Sequence, residues 1–330
     1  MDIEGALVGN FVRPGFCGSA SHSIGPLRLG LRGRIMSGWG ALRTTYWELR
    51  VAAAKGAPLA EVWARFGDQA QTVAGRAPEH LSLLIDLVRK KCGDQDPANV
   101  AILDHGCGSG LTMLVMAALG FTNIYGVDIG GDLSALNRIC RKVFGHDSDR
   151  FRVYDGDALP LPDASIDIVL SQQVLEHVRP AVLESYYREE SRVLKQTGIA
   201  YHQVPHRLVP YESHTRTWFL HYLPRPIFIA LLQLIRSDVP VIESHLYLRW
   251  PWRHKKLVRR FIGPYRDLTL DRLKMIRKFE TYDGPRGLRR LINRTIDLPV
   301  IGGALSAAII WFVQIDTVTV KQGGPYTKAQ

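Results

Sequence analysis

Ile102-Leu103-Asp104-His105-Gly106-Cys107-Gly108-Ser109-Gly110 is the stretch that decides how this chain reads. A short apolar run ends in an acid, and three glycines follow at alternate positions. Glycine has no Cβ, so such a turn can bend sharply and let a ligand approach its backbone. The helical pattern at 111–119 would then begin with unpaired N–H groups facing the same crevice. Taken alone, the turn fits a nucleotide site or a plain tight turn equally well. Working outward, further apolar runs at 124–128, 151–154, 166–171 and 199–204 read as strands, with the first strand at 100–104. Helical patterns at 133–143 and 181–194 separate them. This alternation predicts an α/β fold, a doubly wound sheet of parallel strands with helices on both faces.

The strand ends carry acids at the spacing a nucleoside needs. The second strand ends in Val127-Asp128-Ile129, where an acid can take both ribose hydroxyls. The third leads into Asp155-Gly156-Asp157-Ala158, where an acid can accept from an adenine amino group. Together with Ser171-Gln172-Gln173-Val174-Leu175-Glu176-His177-Val178 and Val193-Leu194-Lys195-Gln196-Thr197-Gly198, these segments resemble the ordered motifs of class I S-adenosylmethionine (SAM)-dependent methyltransferases of the small-molecule and glycan-modifying type. The resemblance spans residues 98–205. It implies a Rossmann-like sheet of seven strands with the last antiparallel, and SAM as cofactor. It assigns SAM contacts to Asp104, Gly106, Cys107, Gly108, Gly110, Asp128, Ile129, Asp157, Ala158, Ser171 and Gln172. His105 stands where the family has an aliphatic residue, and Gln196-Thr197 replaces a Pro-Gly. A dinucleotide fingerprint would place its third glycine at position 111, which is Leu111 here.

The acceptor is less legible. Methyl transfer from a sulfonium needs in-line alignment above all, and an oxygen acceptor gains from a base. The candidate bases are His177, His202, His206, His214 and Glu212, with His177, His202 and His206 taken as the candidate catalytic residues. His177 follows strand four, and His202 and His206 flank Val204-Pro205 at the end of strand five, the ligand-binding edge. Tyr211-Glu212-Ser213-His214-Thr215 and Phe219-Leu220-His221-Tyr222-Leu223-Pro224 would roof the site. No metal is expected: where some RNA-end methyltransferases carry Glu-x-x-Glu-His, Gln173 replaces the first carboxylate and leaves a hard cation short of a ligand.

The chain has 330 residues, 46% of them hydrophobic, which is enough for one sizeable core and an appendage. Its four cysteines form no close pair, so a zinc or redox centre lacks support. The start, Met1-Asp2-Ile3-Glu4, lacks a basic-then-apolar leader, and a cytoplasmic location follows as the expectation. Of the net charge of +11, most lies between 246 and 300, where fifteen Lys or Arg face five Asp or Glu. There Trp250-Pro251-Trp252-Arg253-His254-Lys255-Lys256 interleaves rings with cations, and Arg286, Arg289, Arg290 and Arg294 precede an apolar stretch at 298–313. Such a region suits a peripheral membrane interface, with single-stranded nucleic acid the weaker alternative. The expected layout is a flexible Gly/Arg-rich segment (1–43), a helical extension (44–97), the SAM-binding core (98–205), a basic lid insertion (206–300), and the last strand with its tail (301–330). The expected activity is O-methylation of a glycan, lipid-linked or other small acceptor. An RNA-modifying enzyme and a non-catalytic SAM-fold module are the alternatives.

Overall fold

The apolar runs of the sequence form strands buried on both sides, as in sheets covered by helices on each face. A computed structural model of the chain describes residues 38–74, 79–235, 246–275, 303 and 307–322. Three helices come first: α1 (Gly38–Lys55), α2 (Ala60–Ala74) and α3 (Glu79–Cys92). The alternating part follows as β1 (Ile102–His105), α4 (Leu111–Ala118), β2 (Ile124–Asp128), α5 (Ser134–Phe144), β3 (Phe151–Val153), β4 (Ile166–Gln172), α6 (Leu183–Val193) and β5 (Leu194–Val204). Then come a small hairpin of β6 (Tyr211–Glu212) and β7 (Thr217–Trp218), α7 (Arg225–Ile235), α8 (Pro251–Phe261), β8 (Tyr265–Asp267), α9 (Thr269–Met275) and β9 (Ile315–Val320).

The main sheet has seven strands in the order β3-β2-β1-β4-β5-β9-β8. The first five pair in parallel. β9 is antiparallel to both β5 and β8, so β8 runs with the other five. Seven strands with a reversed last one is the arrangement expected from the sequence. The location of the sixth, β8, was not: Tyr265-Arg266-Asp267 is three residues long and carries two charges.

Strand alternation divides the core in two. One face joins Ile102, Ile124, Ile168, Leu170, Ile199 and Tyr201 to α1 through α5. The other joins Leu103, Val127, Val169, Ala200 and Val204 to Tyr186 and Tyr187 of α6 and to Leu257, Val258 and Phe261 of α8. At the β9 end, Asp316 is fully buried, accepting from Tyr201 Oη (2.7 Å) and from Arg272 Nε of α9 (2.5 Å).

The layout differs from the sequence reading in two places. α1 begins at Gly38, ahead of the expected 43/44 boundary, while 1–37 lies outside the described residues. The stretch 206–300 is also not a single lid. Contacts divide the chain into two units, and the smaller one contributes only 211–235 to the description. α8, β8 and α9 belong to the larger unit: β8 completes the sheet, α8 covers the face it shares with α6, and α9 packs beside α3 on the other. The cause is the amphipathic character of α8, whose Leu257, Val258 and Phe261 are buried. The smaller unit holds the hairpin and α7. In its turn the Glu212 carboxylate accepts from His214 Nδ1 at 2.6 Å and from the Thr215 N–H at 2.5 Å. Among the described residues, no helix is long and apolar enough to cross a membrane. Arg286, Arg289, Arg290, Arg294 and most of 298–306 lie outside the described residues.

Candidate active site

Three strand ends converge where the sequence places its glycine turn. The N–H groups of Gly106 and Cys107 donate to Val127 O at 2.8 and 2.9 Å, drawing the turn against β2. The Gly108 N–H donates to Asp128 Oδ2 at 2.7 Å, so the acid ending β2 faces the turn directly. The Tyr154 N–H donates to Asp128 O at 3.0 Å and ties in the end of β3. Two of the glycines are required by space as well as by backbone. Gly106 has φ +92°, and a Cβ there would lie 2.5 Å from Val174; Gly110 has φ +82°, and a Cβ there would lie 2.6 Å from Leu136. Gly110 also caps α4, whose first N–H groups open toward the crevice.

On the far side of Asp128, Ile129 is 62% exposed and reaches toward Gly156, where a Cβ would lie 3.7 Å from it. Asp157 and Ala158 are exposed on the same loop, and the Asp157 N–H donates to Asp155 Oδ1 at 2.9 Å. Glu189 and Arg192 of α6 hold this loop in place: Glu189 Oε2 accepts from the Leu159 N–H at 2.8 Å, and Arg192 Nη2 donates to Leu159 O at 2.9 Å. A carboxylate, an apolar face and a second carboxylate therefore follow one another along the edge. That order fits ribose and adenine, and the turn's bare backbone fits the remainder of SAM.

The other expected contacts divide. Asp104 is buried at the end of β1, and Gln172 is half-buried at the end of β4. The Cys107 side chain is buried against Gly126 rather than open to the crevice, since a Cβ on Gly126 would meet its Sγ at 2.9 Å. Ser171 is corrected outright. It is 1% exposed, and its hydroxyl pairs with Tyr186 Oη at 2.8 Å inside the core, because its strand position faces α6.

Two of the three candidate catalytic histidines are corrected as well. His202 is fully buried, and its Nε2 pairs with Glu190 Oε2 at 2.8 Å; at the same strand parity as Ala200 and Val204, it points into the sheet's second face. His206 Nε2 donates to Val313 O at 2.7 Å, while its Nδ1 accepts from the Leu208 N–H at 3.2 Å. Both ring nitrogens are used, and burial pushes the imidazole down to about 4, so it stays neutral and structural. Only His177 keeps an accessible ring, with 36% of its side chain exposed. It follows Val174, which packs against Gly106, and its Nε2 stands 3.9 Å from the buried Glu176 carboxylate.

Sequence reasoning missed what supports the turn. From α1, Tyr46 Oη donates to Ser109 O, and Arg50 donates to Ser109 O at 3.1 Å and to Asp132 O at 3.0 Å. From beneath, His105 is buried with its ring stacked on Tyr186 (3.8 Å, 7°). Its Nδ1 pairs with Glu190 Oε1 at 3.0 Å, and its Nε2 with Tyr154 Oη at 2.7 Å. Glu190 thus lies between two imidazoles. Burial alone would raise its carboxyl, but His202 and His105 outweigh that and hold it down to about 2. The network continues through the His254 ring, 5.2 Å from that of His202, to Tyr187 Oη (2.7 Å) and Thr317 Oγ1 (2.9 Å). The single sequence signal for it was His105, where the resembled family has an aliphatic residue.

Residues 103–202 match the family described as "Methyltransferase domain". The chain is 33% identical over 102 residues to the ubiquinone biosynthesis O-methyltransferase of Ruegeria pomeroyi, covering 31% of this chain and 40% of that one. It is 27% identical over 157 residues to a probable S-adenosylmethionine-dependent methyltransferase of Mycolicibacterium smegmatis, covering 42% and 51%. The matches therefore span about half of these relatives or less. Among solved structures, a geranyl diphosphate methyltransferase in complex with SAM aligns with a TM-score of 0.44 at 14% identity, covering 78% of this chain and 90% of that one. The motifs, the strand order and the family match define the class: the chain carries a class I SAM-dependent methyltransferase domain.

Proposed function

We propose that the chain methylates an oxygen of a small acceptor, a glycan or a lipid-linked molecule, at a membrane surface. Bound SAM would supply the methyl group from its sulfonium. Asp128, Asp157, Ile129 and the Gly106–Gly110 turn would hold and orient it, leaving the reacting side toward the ends of β4 and β5. The observation that carries the oxygen reading is His177, the one candidate histidine whose ring is accessible at that edge. Its imidazole would take the acceptor's hydroxyl proton, and the buried Glu176 carboxylate, 3.9 Å from Nε2, would favour the resulting imidazolium. The name of the Ruegeria relative, an O-methyltransferase, supports the same reading.

The test is transfer of radiolabelled methyl from SAM to cell extract fractionated into lipid, small-molecule, RNA and protein pools. Label is expected in the lipid or small-molecule pool. His177→Gln should lower kcat by roughly 100-fold or more and remove the acid limb of the pH profile while SAM still binds. Label confined to RNA or protein would overturn the acceptor class. An unchanged pH profile in the variant would remove His177 from the chemistry.

A further inference from the structure

Two elements outside the cofactor crevice are each built for one kind of surface. In the smaller unit, α7 buries Phe228, Ile229 and Leu232. It leaves Ile227, Ala230, Leu231, Leu234 and Ile235 exposed, with Leu234 at 83%. Their spacing puts them on one continuous apolar stripe. The helix's single charge is Arg225, at its start.

In the larger unit, α8 buries Pro251, His254, Leu257, Val258 and Phe261 and leaves Trp252, Arg253, Lys256, Arg259 and Arg260 exposed. There is no acid on this helix. Beside it, Asp267 of β8 accepts from Lys255 Nζ at 2.8 Å, and Glu184 of α6 lies 3.6 Å from Arg260 and is shared with Arg188. Trp250 stacks on Trp252 (4.9 Å, 9°) and is 5.6 Å from the Arg207 guanidinium. Trp311 and Phe312 are about half exposed, and Lys255 Nζ lies 5.5 Å over the Trp311 ring. Residues far apart in sequence thus make one patch of rings and cations.

We infer that this chain docks on an anionic phospholipid bilayer. Each unit meets the bilayer by its own element: in the smaller unit the α7 stripe enters below the headgroups, and in the larger unit the outer face of α8 lays its cations on lipid phosphates with the tryptophans at headgroup depth. This rests on the reading of the acceptor as membrane-borne and names the surface that meets the membrane. The chemistry favours lipid over the other occupants. A nucleic acid would use the cations and rings but leave the α7 stripe in water. A second copy of the chain would bring one basic face against another.

The test is co-sedimentation of the full chain with phosphatidylcholine vesicles, with and without phosphatidylglycerol, at low and high salt. Binding is expected only with phosphatidylglycerol, weakening as salt rises. Reversing Arg253, Lys256 and Arg259 to Glu should lower it on the order of 100-fold. Leu231→Asp with Leu234→Asp should also release the protein from the vesicles. Protein that ignores both vesicle types, variants that bind like the parent, or salt-sensitive RNA binding in place of vesicle binding would each overturn the inference. Calorimetry with SAM on the same preparations separates the two readings. Vesicle binding without SAM binding sinks the methyl-transfer proposal alone, and SAM binding without vesicle binding sinks the docking alone.

Discussion

The two faces of the sheet solve the same packing problem with opposite chemistry. Along β1 to β4, the face beneath α1–α5 is aliphatic, with Ile102, Ile124, Ile168 and Leu170 buried against Met113, Leu114 and Leu136. The face beneath α6 and α8 buries His105, Glu190, His202 and His254 in contact with one another. On an aliphatic face, nearly any residue of the right volume serves. On the polar face each group depends on its partners, because a buried polar group that loses its hydrogen bond keeps the full cost of leaving water. The glycine turn is held from both sides, by Tyr46 and Arg50 above and His105 below, so the contrast can be tested at the site itself.

The largest effect should come from breaking the turn they share. Gly110→Val places a branched side chain at φ +82° against Leu136, and SAM binding measured by calorimetry should fall at least about 100-fold. Removing the centre of the polar face comes next. Glu190→Leu strands two imidazoles and should lower stability by about 3–5 kcal/mol in urea denaturation. Ile168→Val on the aliphatic face should cost only about 1 kcal/mol. Replacing Glu190, His105 and His202 together by apolar residues should recover most of the loss; a triple variant no better than Glu190→Leu would mean the network is not a closed unit.

Acid should expose the same asymmetry. His206 titrates near 4 in the folded chain, against about 6.5 when unfolded. The unfolded state therefore takes up the proton first, and stability should fall by about 3 kcal/mol as pH drops from roughly 6.5 to 4. Glu190, held at about 2, behaves as a depressed acid. Its contribution is complete above the ordinary carboxylate range and is lost as pH falls from there toward 2. Urea midpoints across this range should flatten between pH 6.5 and 4 in His206→Gln. The smallest effect is expected from the upper support: Arg50→Ala should weaken SAM by roughly tenfold with little change in urea midpoint.

The sequence made the aliphatic face and the cofactor edge legible for one reason. Apolar periodicity and glycine spacing are local, and β2 and β4 begin where the pattern says they do. The polar face is assembled from positions far apart. Glu190 meets His105 across 85 residues, and neither position alone announces the other. A histidine on β5 looks catalytic in the sequence whichever way it points. His202 reads as a catalytic candidate at the end of β5, yet it shares the parity of Ala200 and Val204 and points into the core. Tyr46 and Arg50 lie on α1, whose helical pattern carries no sign of the turn they support 59 to 63 residues away, and β8 is too short and too charged to show a strand rhythm.

The position of β9 has a consequence for how the chain is made. Residues 315–320 lie between β5 and β8, so during synthesis the finished edge of β5 waits until those residues have left the ribosome. At ordinary elongation rates that wait is on the order of ten seconds. Throughout it, β5 is paired with β4 on one side, and the backbone groups of 199–204 on the other side offer an open edge to any neighbouring chain. A nascent chain halted before residue 315 would be expected to need a chaperone at that edge, even though every cofactor motif has already been translated.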